Sequence, residues 1–329
     1  MRSIPCEGTT ADLQPCTART LNPSRWCGRC VHPHRVSFAD PTAMRASVTA
    51  RAKAAAKADP RWNAVQRMRY FAFDRLLARV FVAQPNSWIL KGGGALMARL
   101  DNARPSDDLD ISYLEGDLDA ALRALRTVVE CNLGDFFRFT VADPSALIEG
   151  NVRGARVAID SFIGDVPFVK FHIDLTSNST DLTSVPDEVA PLSPIDVPNL
   201  FQVSYRCWPL ANHIADKLAA TNERYGTRQL PSSRFRDLTD LYLLTTQFSY
   251  DADQVRSAIL VEFNRRGLVV PRHFQVPDKR TWKPGWTKLA PASTITKGVA
   301  FDTAIATIEQ FLDPILQGKT TGHWDNAWS

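Results

Sequence analysis

The sequence predicts a mixed α/β (α+β) protein, in which a domain built on a mixed sheet is followed by a mostly helical C-terminal domain. Three observations carry this. Phe71, Phe73, Leu76, Leu77, Val80 and Phe81 recur at the three- and four-residue intervals of a buried helix. Short runs at 109–113, 136–141, 152–159 and 168–176 have strand character. Pro186, Pro191, Pro194 and Pro198 crowd the stretch 183–198, a density that neither helices nor sheet interiors tolerate. The expected division is therefore a 1–44 extension, a sheet domain over 45–190 and a helical domain over 191–329.

Taken in order, residues 46–83 read as two helices broken near Pro60. Trp88-Ile89-Leu90 reads as a short buried strand running into Lys91-Gly92-Gly93-Gly94 and a helix over 95–100. A Pro-Ser-Asp loop leads to the strand 109–113, and Leu118, Leu122, Leu125 and Val129 space out a helix over 118–130. Beyond the prolines, helices are expected over 209–224, 233–248, 255–266 and 303–316, with Ser232 or Ser233 as N-cap of the second. Residues 271–291, rich in Pro, Trp and Lys, read as a loop.

Composition narrows the function. The 329 residues are 44% hydrophobic and 22% charged, with a net charge of +4, which is an ordinary globular balance and excludes collagen, coiled coil and wholesale disorder. The richest apolar run, 70–83, is cut by Asp74, Arg75 and Arg79, so no stretch reaches the roughly 18 apolar residues of a membrane-spanning helix. Glu7, Asp12, Gln14 and Arg19 interrupt any secretory h-region, and a cytoplasmic protein is expected. Cys6, Cys16, Cys27 and Cys30 crowd the first 30 residues, and Cys27-Gly-Arg-Cys30 with His32 and His34 offers half of a zinc site. A disordered tail, or a start codon assigned upstream of Met44, accounts for the same segment.

The chemistry concentrates in Lys91-Gly92-Gly93-Gly94 and, after a short helix, Arg104-Pro105-Ser106-Asp107-Asp108-Leu109-Asp110. Glycines between a strand and a helix let backbone approach a phosphate, and the free N–H groups of the helix start favour its charge. Asp108 and Asp110, two apart on a strand, leave one face roughly 6–7 Å apart, as suits a hard divalent cation such as Mg2+ or Mn2+. Lys170-Phe171-His172-Ile173-Asp174 delivers a third carboxylate if its strand is a neighbour. Three such carboxylates make a two-metal phosphoryl- or nucleotidyl-transfer site, with an NTP as the natural substrate. Ser106 suits a hydroxyl donor to phosphate, and His172 is assigned to the strand face opposite Asp174. No Gly-Lys-Ser/Thr follows the glycines and Met97 interrupts Gly-x-Gly-x-x-Gly, so neither a Walker loop nor a Rossmann fingerprint is present.

These residues resemble the polymerase-beta-like nucleotidyltransferases, and more closely the AbiEii/MenT-type nucleotidyltransferase toxins. Lys91-Gly92-Gly93-Gly94-Ala95-Leu96 and Arg104-Pro105-Ser106-Asp107-Asp108-Leu109-Asp110 fill two of that family's motifs. The helical segment 213–220, with Lys217, and the segment 234–244, with Asp237 and Asp240, match its later ones. The resemblance covers roughly 71–248. It implies a polymerase-beta-like nucleotidyltransferase domain in which Asp108, Asp110 and Asp174 hold metal and act catalytically with Lys217 and Asp237. It further implies that Lys91, Gly92, Gly93, Ser106, Lys217 and Asp240 contact the nucleotide. The implied activity is transfer from an NTP to the 3′ acceptor end of tRNA, blocking aminoacylation and growth until a separately encoded antitoxin neutralises it. A small-molecule acceptor of the antibiotic type, a protein acceptor, and a non-catalytic NTP-binding module are the alternatives, and a monomer is expected.

The later motifs also have local readings. Lys217 stands at the edge of an apolar helix stripe, where it reaches a triphosphate or pairs with Asp216 or Glu223, while Arg236 is placed to pair with Asp240. Residues 261–290 carry a local net charge of about +5 from Arg265, Arg266, Arg272, Lys279, Arg280, Lys283 and Lys288 against Glu262 and Asp278. Phe274, Trp282 and Trp286 are interleaved, as a single-stranded RNA site requires, although the same tryptophans also suit a core.

Overall fold

The computed structural model describes residues 4–5, 19–20, 38–149, 152–177 and 182–328. The cysteine and histidine cluster at positions 6–34 lies outside them. Helix α1 (Pro41–Ala58) opens on Asp40, whose carboxylate accepts the Ala43 N–H at 2.8 Å, with proline in the first turn, where its missing N–H costs nothing. Met44, Val48 and Ala52 bury the inner face. Residues 40–44, assigned from sequence to an extension, therefore cap and begin this helix.

Helix α2 (Ala64–Ala83) starts with a reciprocal capping box between Asn63 and Gln66. The charges that interrupt its apolar run are buried as a paired set. Arg79 meets Asp135 at 2.6 Å, Arg75 binds Asp74 and the Phe201 carbonyl, and the Tyr205 hydroxyl donates to Asp74. Each cation has a carboxylate and a backbone carbonyl as partners, although the Arg79 Nε keeps none, so burial of the charges is tolerated.

The sheet follows from strands β1 (Trp88–Leu90), β2 (Leu109–Tyr113), β3 (Phe137–Val141), β4 (Ser145–Glu149), β5 (Val152–Ile163), β6 (Val166–Ser177), β7 (Asp187–Val189) and β8 (Tyr205–Cys207). Their order is β3-β5-β6-β2-β1-β8-β7, with β4 also paired to β5. The β2–β6 and β8–β1 pairs are parallel and the others antiparallel, so the sheet is mixed. Cys207 pairs with Leu90, which carries the sheet past the boundary expected near residue 190. Helices α3 (Gly92–Arg99) and α4 (Leu118–Val128) belong to this half.

Helices α5 (Leu210–Asn222), α6 (Phe235–Gln247), α7 (Ala252–Arg265), α8 (Lys279–Leu289) and α9 (Phe301–Leu316) form the other half. Neither Ser232 nor Ser233 is the N-cap of α6; Arg234 occupies that place without a side-chain capping bond. Helix α8 occupies 279–289 of the stretch 271–291 expected to be a loop, because Trp282 and Trp286, four apart, anchor one face while Asp278 caps its start; 271–278 is irregular as expected. One apolar core runs through both halves, from Met44 to Trp324. Among the described residues no helix is long and apolar enough to cross a membrane.

Candidate active site

A cleft of about 790 Å³ opens between the sheet and helices α5, α6 and α8. Its floor comes from β2 and β6. These strands are parallel and in register, with Asp110 directly beside Asp174, so the two side chains leave the same face one strand spacing apart. Asp108 precedes β2 and joins them in lining the cleft. Arg156 on β5, absent from the sequence-based expectation, sits directly opposite Asp174 on the neighbouring strand. Its guanidinium bonds Asp174 at 2.9 Å and also Asp108. His172, expected on the far face, lies 3.9 Å from Asp108; residues two apart on a strand share a face, so it stands on the side of Asp174.

The glycine turn makes room for this floor. Gly92 opens α3 at φ +55°, and a Cβ there would stand 2.1 Å from the Asp110 Oδ2. A Cβ on Gly93 would stand 2.6 Å from the Ser106 Oγ. Ser106 donates its hydroxyl to the Asp108 carbonyl at 3.0 Å, so it braces the Asp108 turn instead of offering that proton to a phosphate. Lys91, the N-cap of α3, makes no side-chain capping bond, and Gly92 and Gly93 of the first turn line the cleft, a helix start that suits an anion. Lys91, just before it, rides over the Trp208 ring at 3.8 Å. Gly92→Ala is expected to cost about 1–2 kcal/mol through the left-handed backbone and to cut turnover roughly 10²-fold by displacing Asp110. Melting curves and NTP turnover check both, and unchanged turnover would remove Gly92 from the site.

The opposite wall is ionic and buried. Lys217 on α5 is neither solvated nor paired with Asp216 or Glu223; it meets Asp237 at 2.8 Å and Asp240 at 3.3 Å. Burial opposes its charge, but Asp237, Asp240 and Asp216 more than offset this and raise its pKa. Asp240 does not pair with Arg236. Both its oxygens are taken by Arg104 at 2.7 Å, and it is fully buried and outside the cleft lining. Burial pushes its pKa up, yet Arg104 and Lys217 bring it down to about 2. Asp240 is thus misplaced as a nucleotide contact; it anchors Arg104 and Lys217, while Asp237 lines the cleft with Arg234 at 2.6 Å.

The basic stripe expected over 261–290 does not form as one surface. Arg266 is enclosed by Glu262, Glu223 and Asp216 at 2.6–2.7 Å, and Arg265 pairs with Glu262. Phe274, Trp282 and Trp286 are in the core and cannot stack on bases. Arg272, Lys279, Arg280 and Lys283 are exposed but outside the cleft lining, and Lys283 pairs with Asp302 at 3.1 Å.

One buried group bears on pH. Neither ring nitrogen of His213 has a hydrogen-bond partner, and burial, reinforced by Lys217 and Arg99, lowers its pKa from 6.5 to about 3. Below pH 6.5 the unfolded chain takes a proton that the folded chain refuses. Stability therefore falls by up to about 1.4 kcal/mol per pH unit from there down to the folded value. His213→Leu is expected to flatten this acid limb in melts across pH, and parallel limbs in the two proteins would contradict the assignment.

A glycine turn at a helix start, with carboxylates from two parallel strands facing a cationic wall, defines a nucleotidyltransferase. The family described as nucleotidyl transferase AbiEii toxin of type IV toxin–antitoxin systems matches residues 75–329, and the chain belongs to that family. Among solved structures it is similar to MenT4, a nucleotidyltransferase toxin from Mycobacterium tuberculosis H37Rv. The two are 17% identical, with TM-score 0.47 over 84% of this chain and 97% of that one. It is also similar to JHP933 from Helicobacter pylori, at 14% identity and TM-score 0.42, over 77% and 94% of the two chains. No curated protein matches the sequence.

Proposed function

We propose that this nucleotidyltransferase moves a nucleotide from an NTP onto the 3′ acceptor end of tRNA in a divalent-metal-dependent reaction. Blocked aminoacylation then stops growth in the cytoplasm until a cognate antitoxin intervenes. The observation that carries the transfer reading is the register of Asp110 beside Asp174, with Asp108 sharing Arg156 between them.

The donor set fits a metal in its chemistry, since all three groups are hard carboxylates. As the side chains stand, no three metal-binding groups among the described residues grip one site, and the Arg156 guanidinium supplies the positive charge between Asp108 and Asp174. Asp108, Asp110 and Asp174 would hold Mg2+ or Mn2+ once Arg156 withdraws. A bound ion there would supply Lewis acidity toward the acceptor hydroxyl and positive charge for the departing pyrophosphate. The N–H groups of Gly92 and Gly93 would bind the phosphates, with compensating charge from Lys91, Lys217 and Arg234, all of which line the cleft. Asp174 would help activate the acceptor hydroxyl, and Asp237 holds the Lys217 ammonium at the cleft.

The tRNA acceptor rests on the family resemblance. The core position of Trp282 and Trp286 removes the local support for base stacking, and this favours a small hydroxyl compound as the second reading. Incubating the protein with total RNA, Mg2+ and each α-labelled NTP tests both. Label in a tRNA-sized band is expected. NTP turnover only on small hydroxyl compounds would replace tRNA with the second reading, and no NTP binding at all would overturn both.

A further inference from the structure

Helix α8 carries Pro284 and Gly285 in its interior, the two poorest helix formers side by side. A local rule broken this way calls for a compensating role. Gly285 has one in packing: a Cβ there would stand 2.3 Å from the Phe235 ring. The helix has two faces. Trp282 and Trp286 are buried, with Nε1 of each donating to a carbonyl, of Ser232 and of Val299. Thr281, Pro284, Gly285 and Lys288 instead line the cleft, at the i, i+3, i+4, i+7 spacing of a single helical stripe.

Phe235 completes that stripe. It is half-buried at the start of α6, edge-on to Trp282 with ring centroids 5.4 Å apart, and it too lines the cleft. The result is an apolar corner beside the ionic wall of the cleft. Its chain neighbours fix what fits there. Arg234 and Arg236 flank Phe235, and Asp237, two residues on, holds Lys217. Arg236 and Lys288 form no ion pair with another described residue, so their charge is available to a phosphate or to acceptor atoms on a base edge. Thr281 donates its hydroxyl to the Asp278 carbonyl at 3.1 Å, which leaves its oxygen as an acceptor at the rim.

We propose that the Phe235 ring and the Thr281, Pro284, Gly285 and Lys288 face of α8 form the nucleobase subsite of the NTP. This rests on the NTP-transfer reading of the same cleft. A base presents a π-face that stacks on an aromatic ring whatever its identity, and Thr281, Lys288 and Arg236 line the cleft beside the ring to meet its edge. The aromatic seat belongs to the short segment that also holds the Lys217 ammonium, so base and triphosphate are bound by one stretch of α6 and its neighbour. That continuity favours the NTP's own base over the terminal base of an acceptor.

Equilibrium titration of each NTP and of inorganic tripolyphosphate, without acceptor, tests the assignment in wild type, Phe235→Ala and Phe235→Trp. Phe235→Ala is expected to weaken NTP binding about 10-fold or more, leave tripolyphosphate affinity unchanged, and be rescued by Phe235→Trp. Equal weakening of NTP and tripolyphosphate would overturn the subsite, since Phe235 would then only position Arg234 and Lys217. Unchanged NTP affinity with a raised acceptor KM would overturn it in favour of an acceptor-base seat. Failure of the wild type to bind any NTP would instead bring down the transfer reading, and this inference with it.

Discussion

Asp108→Ala is expected to lower nucleotidyl transfer about 10³-fold or more, since losing one carboxylate of a metal-holding set removes several kcal/mol of transition-state stabilisation. The fold should survive. Asp108 is about one-third exposed and its ion-pair partner is Arg156, itself 39% exposed, a class of pair worth at most about 1 kcal/mol. Arg156 keeps Asp174 at 2.9 Å after the change. The variant also relieves repulsion among neighbouring carboxylates, which opposes any loss. Transfer measured with labelled NTP beside a thermal melt separates the two effects. Loss of activity together with a collapsed melting transition would place Asp108 among the structural residues; an intact melt with retained transfer would remove it from the reaction altogether.

The site was partly legible in sequence because its pieces are local. The Gly92-Gly93-Gly94 turn and the Asp108, Asp110 pair fall on adjacent elements, and period-two alternation marks β6. What the sequence could not supply was pairing. Arg156 is an ordinary strand arginine until β5 is known to lie against β6, and nothing nearby signals its two carboxylate partners. The same holds for Arg75 and Arg79, which read as breaks in an apolar run until Asp135, far along the chain, closes on them. Helix α8 was lost for another reason. Pro284-Gly285 is the strongest local breaker in that stretch, whereas the four-residue spacing of Trp282 and Trp286 is what tertiary packing follows. His172 needed only a stricter use of strand periodicity.

Lys217→Met is expected to destabilise the chain by about 3 kcal/mol, at the low end of the range for removing one partner of a buried ion pair. The low end applies because neither carboxylate is left alone: Asp237 retains Arg234 at 2.6 Å and Asp240 retains Arg104 at 2.7 Å. Transfer should fall as well, but the single variant does not say why, since Lys217 both fills a buried cluster and lines the cleft. The double variant Lys217→Met/Asp237→Asn separates the roles. It removes the carboxylate that would keep only the partly exposed Arg234 as its cation, so part of the lost stability should return. If the ammonium meets the triphosphate, transfer stays low and NTP affinity stays weak in the restored fold. Recovery of transfer along with stability would make Lys217 a structural tie between α5 and α6 and move the phosphate-binding charge to Lys91, Arg234 and the start of α3.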